Sequence, residues 1–203
     1  MSARTGNVAP GFHGKLPLLG DFVQRRLPPE FVEPWDRACQ EAMAGLAARL
    51  GDDHKARCLA APVWRFALAA HVCGPRPWTG AVTLSSDRVG RIFPLVLAVS
   101  AAPTANGWPR WPEAAWFDAA EAIVHEAREH GSLAEFDRAA HALADPRLMA
   151  SPPWVPAGGG LMRSLWWRGG DPSSGVALRG LPNADDYLRF IDGLRAERNE
   201  EPV

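Results

Sequence analysis

Residues Gly11 to Arg26, GFHGKLPLLGDFVQRR, pack turn-formers, charges and core hydrophobes into one short stretch. Gly11, Gly14, Gly20 and Pro17 cut its apolar residues into pieces, which predicts a strand, a specified turn and a sharp exit into a polar loop ending in Arg25 and Arg26. Gly14-Lys15 looks like a fragment of a phosphate-cradling loop, but the pattern fails: its first glycine would fall at Ala9, and Leu16 stands where the magnesium-binding hydroxyl is needed. A structural role is the expectation.

Beyond this stretch, Pro28-Pro29-Glu30 sets up a helix start, and Phe31, Trp35, Cys39, Ala42, Met43, Leu46 and Leu50 recur at steps of three or four. Gly51 stops that long amphipathic helix, and a short second helix runs from Asp52 to Leu59. At Val63 the period shortens, predicting a strand through Leu68. Two more, Trp78–Leu84 and Arg91–Val99, are joined by the polar Ser85–Gly90 as an antiparallel hairpin. Pro94 predicts that the second of these is an edge strand or starts beyond it. Helices follow from Pro112-Glu113 to His130 and from Leu133 to Leu143, the latter with Ser132 and Glu135 spaced as a capping box. Pro146–Gly160 reads as a loop, Leu161–Arg168 and Gly175–Arg179 as strands, and Asn183–Arg195 as a last helix. The order is neither regular βαβ nor all-helical. It predicts an α+β fold, a mainly antiparallel sheet flanked by helices, in one domain spanning 11–196 between a flexible arm (1–10) and a charged tail (197–203).

The 203 residues are 47% hydrophobic, enough for an ordinary core, and the net charge of −1 supplies no global field toward nucleic acid or an anionic membrane. No apolar run reaches the roughly 18 residues of a membrane helix, and residues 1–10 lack a signal-peptide core, so a chain in the cytoplasm is expected. Nine tryptophans imply large rigid side chains that are either buried or form a contact surface; without a basic groove they do not make a base-stacking platform. The adjacent pair Trp166-Trp167 must face opposite sides of a strand.

Catalytic and metal patterns are incomplete. No Gly-x-Ser-x-Gly occurs, and Ser85-Ser86-Asp87 has no histidine beside it in sequence. Cys39, Cys58 and Cys73 are an odd, scattered set without metal-pair spacing, best read as buried thiols. Asp52-Asp53 and Asp185-Asp186 fall where helix N-termini are expected and serve there as caps. No catalytic residue, cofactor or metal is assigned. The runner-up reading, a small hydrolase or phosphatase-like enzyme, requires a pocket holding a His, a Ser or Cys and a carboxylate at hydrogen-bond distance. The charged group that stands out is Asp21, Arg25 and Arg26 with Asp87, Arg88 and Arg91. Opposite charges from its two stretches are expected to pair and fix the loops into one surface, leaving spare guanidinium groups to meet an acidic patch on a partner. The Trp108/Trp111 loop is the next candidate interface, and a homo-oligomer is compatible with the composition.

An ordered string of motifs carries a resemblance: Gly14-Lys15-Leu16-Pro17, Gly20-Asp21-Phe22, Arg26-Leu27-Pro28, Phe31-Val32 with Trp35, Ala61-Pro62-Val63-Trp64-Arg65-Phe66, and Ser86-Asp87-Arg88-Val89-Gly90-Arg91 with Phe93-Pro94-Leu95. Ser164-Leu165-Trp166-Trp167 and Gly180-Leu181-Pro182 continue it more weakly. The string resembles the TagF (ImpM) family of type VI secretion-associated proteins. That resemblance implies a cytoplasmic accessory protein without established enzymatic activity, a post-translational negative regulator of the apparatus, associated with its forkhead-associated scaffold protein. It also directs attention to threonines that a forkhead-associated domain reads when phosphorylated; of Thr5, Thr79, Thr83 and Thr104, the first and last fall in predicted loops. A phosphate-independent contact is the favoured expectation.

Overall fold

The computed structural model describes residues 9–144, 146–149 and 162–193. Seven strands form one antiparallel sheet: β1 (Gly11–Gly14), β2 (Val23–Arg25), β3 (Trp64–Leu68), β4 (Trp78–Ser86), β5 (Ile92–Ser100), β6 (Ser164–Trp167) and β7 (Val176–Leu178). Their order is β2-β1-β5-β4-β3-β6-β7. Helices α1 (Pro29–Leu50), α2 (His54–Leu59) and α5 (Ala184–Ile191) cover one face, and α3 (Ala114–His130) with α4 (Leu133–Ala142) the other. This is an α+β domain.

The two layers exist because the strands are apolar on both sides. In β3, Trp64, Phe66 and Leu68 enter the core under α1 and α5, while Ala67 enters the core under α3. Trp166 and Trp167 divide the same way: Trp166 packs against Trp35, Phe66 and Phe190, and Trp167 stacks on Trp111. Gly80 of the central strand has no Cβ for a steric reason, since one built there would stand 2.0 Å from the Leu97 carbonyl oxygen and 2.9 Å from the Phe66 ring. Trp35, Trp64, Phe66, Phe93 and Leu95 are all buried core, as their positions in the pattern predict. So are Trp108 and Trp111, whose rings are therefore core rather than surface contacts of their loop. Trp78, Trp116, Trp166 and Trp167 are buried too, and Trp154 lies outside the described residues.

Three local expectations are corrected. Val23–Arg25 is not a polar loop but the edge strand β2, antiparallel to β1 with Phe12 opposite Arg25. Pro94 does not start or edge a strand: it sits inside β5, opposite Leu84 of β4. The missing N–H is tolerated because the β1 ladder ends at the His13–Val96 pair, so at Pro94 only one neighbouring strand is hydrogen-bonded. At α4 only half of the capping box forms, Ser132 Oγ accepting from the Glu135 N–H (3.3 Å). The complete box is at α5, where Asn183 accepts from Asp185 and Asp186 and the Asp186 carboxylate accepts from the Asn183 N–H. Most of the Pro146–Gly160 loop, the first eight residues, and the chain from residue 194 on lie outside the described residues.

Candidate functional site

The chain's opening stretch and the β4–β5 hairpin meet at one end of the sheet. Gly14 ends β1 with φ +142, and a Cβ there would lie 2.3 Å from the Pro94 carbonyl oxygen. Glycine therefore lets β1 turn against β5, so that the next residue, Lys15, points inward. Lys15 Nζ donates to Asp87 Oδ2 at 2.7 Å, with both side chains buried. Arg91 Nε donates to the same oxygen (2.6 Å), while the N–H groups of Val89 and Arg91 donate to Oδ1 at 3.1 and 2.9 Å. Burial pushes the Asp87 carboxyl up, but the hydrogen bond from Lys15 and those from Arg91 outweigh it and hold the group well below the usual carboxylate range. Two further bonds tie the hairpin to the opening stretch: the Arg88 N–H to the Leu19 oxygen (2.9 Å) and Arg91 Nη2 to the Gly20 oxygen (2.7 Å).

The six charged residues singled out from the sequence are thus divided. Asp87 forms a buried lock with Lys15 of the opening stretch rather than with Asp21, and the exposed Arg91 closes over it from the surface. Lys15 stands outside the charged group expected from the sequence, where it is read as a phosphate-loop fragment and as part of the family string; its position directly after a glycine that ends a strand is the available signal. Arg26 leaves the group: with φ +57 it donates Nε to the Pro10 oxygen (3.0 Å), pairs with Asp137 of α4 (2.6 Å) and lies over the Phe12 ring (5.5 Å). Arg25 is exposed and donates to the Gln24 oxygen. Asp21 and Arg88 are exposed, and their side chains form no hydrogen bond or ion pair among the described residues.

Around the lock, exposed apolar side chains stand among the exposed charges of the same two loops. Of the large hydrophobic side chains that are exposed among the described residues, Leu18 (62%), Phe22 (45%) and Val89 (69%) all belong to these two loops. Phe22 stacks on buried His13 at 5.3 Å, meets Phe93 edge-on at 4.8 Å, and has Lys15 Nζ 5.0 Å from its centroid. His13 lies 3.5 Å from Asp36 of α1, and burial lowers its pKa against the opposing pull of that carboxylate. Leu18, Phe22, Val89 and Arg88, carried on two loops that the lock and the backbone bonds tie together, form one platform.

Other chemistry-bearing groups are committed elsewhere. Burial pushes the Cys39 thiol up, that of Cys58 to about 11 and that of Cys73 to about 12, so none is poised as a thiolate nucleophile. A cleft of ≈590 Å³ between α3 and α4 does bring His130, Ser132 and Glu126 together. His130 lies 3.3 Å from Glu126 there with both side chains largely exposed, whereas Ser132 Oγ caps α4 and has no hydrogen bond to His130, so the relay of a hydrolase is missing from this cleft. Among the described residues no three His, Cys, Asp or Glu side chains are grouped to hold a metal ion, and no helix is long and apolar enough to cross a membrane. Thr79 and Thr83 are buried in β4, Thr104 is half-buried in a turn, and Thr5 lies outside the described residues.

Residues 11–143, which contain both loops of the platform, match the model of the TagF N-terminal domain, described as type VI secretion system-associated. The chain belongs to the TagF family. A crystal structure of PA0076 from Pseudomonas aeruginosa PAO1 is similar to this TagF chain over 96% of its length and 99% of the other chain, with 30% identity and a TM-score of 0.73. No curated protein matches the sequence. This TagF protein is therefore an accessory protein associated with a type VI secretion system, and the match covers the Gly11–Arg26 stretch and the hairpin alike.

Proposed function

We propose that this TagF chain is a non-enzymatic binding protein of the cytoplasm, a post-translational negative regulator of the secretion apparatus that holds its forkhead-associated scaffold protein. The observation that carries the reading is the platform. Exposed Leu18, Phe22 and Val89 are held on two loops stapled by a buried ion pair, with the unpaired Arg88 at their rim. A preorganised apolar patch with an arginine beside it loses little entropy on docking, which is how a small contact area yields useful affinity. An acidic patch on the scaffold would meet Arg88, while Leu18 and Val89 fill apolar depressions beside it.

The test uses the exposed side chains of the platform, which the fold does not need. Leu18→Glu, Val89→Glu and Arg88→Ala should melt like the unchanged protein, because each side chain is largely in solvent. The two glutamates should abolish pull-down of the purified forkhead-associated scaffold, and Arg88→Ala should weaken it, with a smaller salt dependence than the unchanged protein shows. Undiminished pull-down by both glutamate variants refutes the platform as the contact. Equal loss of binding on Thr104→Ala but not on these variants would move recognition to a phosphothreonine.

A further inference from the structure

At the other end of the sheet, where β3 ends and β4 begins, an open cleft of ≈640 Å³ concentrates positive charge. Arg163, Arg179 and His71 line it together with an apolar wall that includes Pro34 and Ala38 of α1 and Leu181, and no acidic side chain takes part. We infer that this cleft binds a phosphate monoester. Arg163 directly precedes β6 and Arg179 directly follows β7, and the Ser164–Leu178 pairing brings the two to the same end of the ladder. The Arg163 N–H donates to the Leu178 oxygen (2.8 Å), which closes that end. Two guanidinium groups lining one cleft repel each other, and among the described residues neither arginine has a carboxylate partner. An anion between them relieves the repulsion.

Arg163 is held in place before any ligand arrives. Arg163 Nη2 donates to the Ala70 carbonyl, which fixes its guanidinium group over the β3–β4 connection. His71 in the same connection adopts φ +72, a conformation few residues other than glycine take, and its N–H donates to the Gly74 oxygen at 2.8 Å. A tight turn accepting histidine where glycine is the easy choice presents an imidazole to the cleft. Two guanidinium forks and an imidazole match the charge of a monoester dianion and offer more N–H donors than the two oxygens of a carboxylate can use. The apolar wall then lies against the organic part of the ester.

Calorimetric titration at constant ionic strength, with inorganic phosphate, phenyl phosphate, benzoate and a short phosphothreonine peptide, tests the site on the full chain. Phenyl phosphate should bind the unchanged protein and should bind Arg179→Glu more weakly by at least on the order of tenfold to a hundredfold, the worth of one charge-assisted contact, because the new carboxylate also repels the dianion. His71→Gly removes the imidazole while relieving the positive φ, so it should melt no lower than the unchanged protein and still bind phenyl phosphate more weakly. Tighter binding of the peptide than of phenyl phosphate assigns the ester to a phosphorylated protein side chain, and the reverse order assigns it to a small molecule; either supports the site. No binding of phenyl phosphate, equal binding by Arg179→Glu, or benzoate binding as tightly as phenyl phosphate overturns the inference.

Discussion

Replacing Asp87 should damage this fold more than replacing either cation that holds it. The Lys15 Nζ to Asp87 Oδ2 distance of 2.7 Å corresponds to a gross attraction of about 6 kcal/mol at an effective dielectric near 20. Most of that is offset by the cost of taking both groups out of water, so the net depends on what each variant strands. Asp87→Ala leaves the Lys15 ammonium buried without a carboxylate and also frees the Val89 and Arg91 N–H groups, a loss of about 3 to 5 kcal/mol. Lys15→Met leaves Asp87 still bonded to Arg91 and those two N–H groups, and should cost only about 1 to 3 kcal/mol. Arg91→Ala removes a side chain that is 61% exposed and should cost about 1 kcal/mol or less. Urea unfolding at neutral pH measures all three, and the melting temperature of Asp87→Ala should fall by about 10 °C. Because the folded pKa of Asp87 is depressed, this stability is complete above the unfolded carboxylate value and is lost as pH falls toward the folded one. The gap between Asp87→Ala and the unchanged protein should therefore narrow in acid. A Lys15→Met variant as damaged as Asp87→Ala refutes the reasoning.

His13 supplies a second pH signature. Burial holds it below its ordinary value of 6.5, so the unfolded chain takes up a proton before the folded one does, and stability is lost as pH drops below about 6.5. His13→Gln should flatten the dependence of the urea midpoint on pH between about 5 and 7; an unchanged slope would remove His13 from the account. Trp166→Ala opens the core where Trp35, Phe66 and Phe190 converge and should cost about 3 to 5 kcal/mol, and a loss under about 1 kcal/mol in urea unfolding would show that the neighbours collapse into the space.

Much of this molecule is written locally. The three-and-four spacing of Phe31, Trp35, Cys39, Met43 and Leu46, closed by Gly51, specifies α1, since a helix is decided by residues one turn apart. The adjacent Trp166 and Trp167 put a large apolar side chain on each face of their strand, because a strand sends consecutive side chains to opposite sides, and the structure covers both faces with helices. What the sequence leaves open is which strand lies beside which. Pro94 argues for an edge, yet β5 lies between β1 and β4, because β1 is short enough to stop before reaching it. The same holds for the charges. Asp87 and the arginines of the opening stretch are conspicuous in the sequence, but Asp87 is paired with Lys15, seventy-two positions away, and Arg26 with Asp137, a hundred and eleven away. A periodic pattern determines an element through neighbours one or two turns distant. The partner of a charge is decided only when the sheet order brings two remote loops to the same end, and only the tertiary structure contains that order.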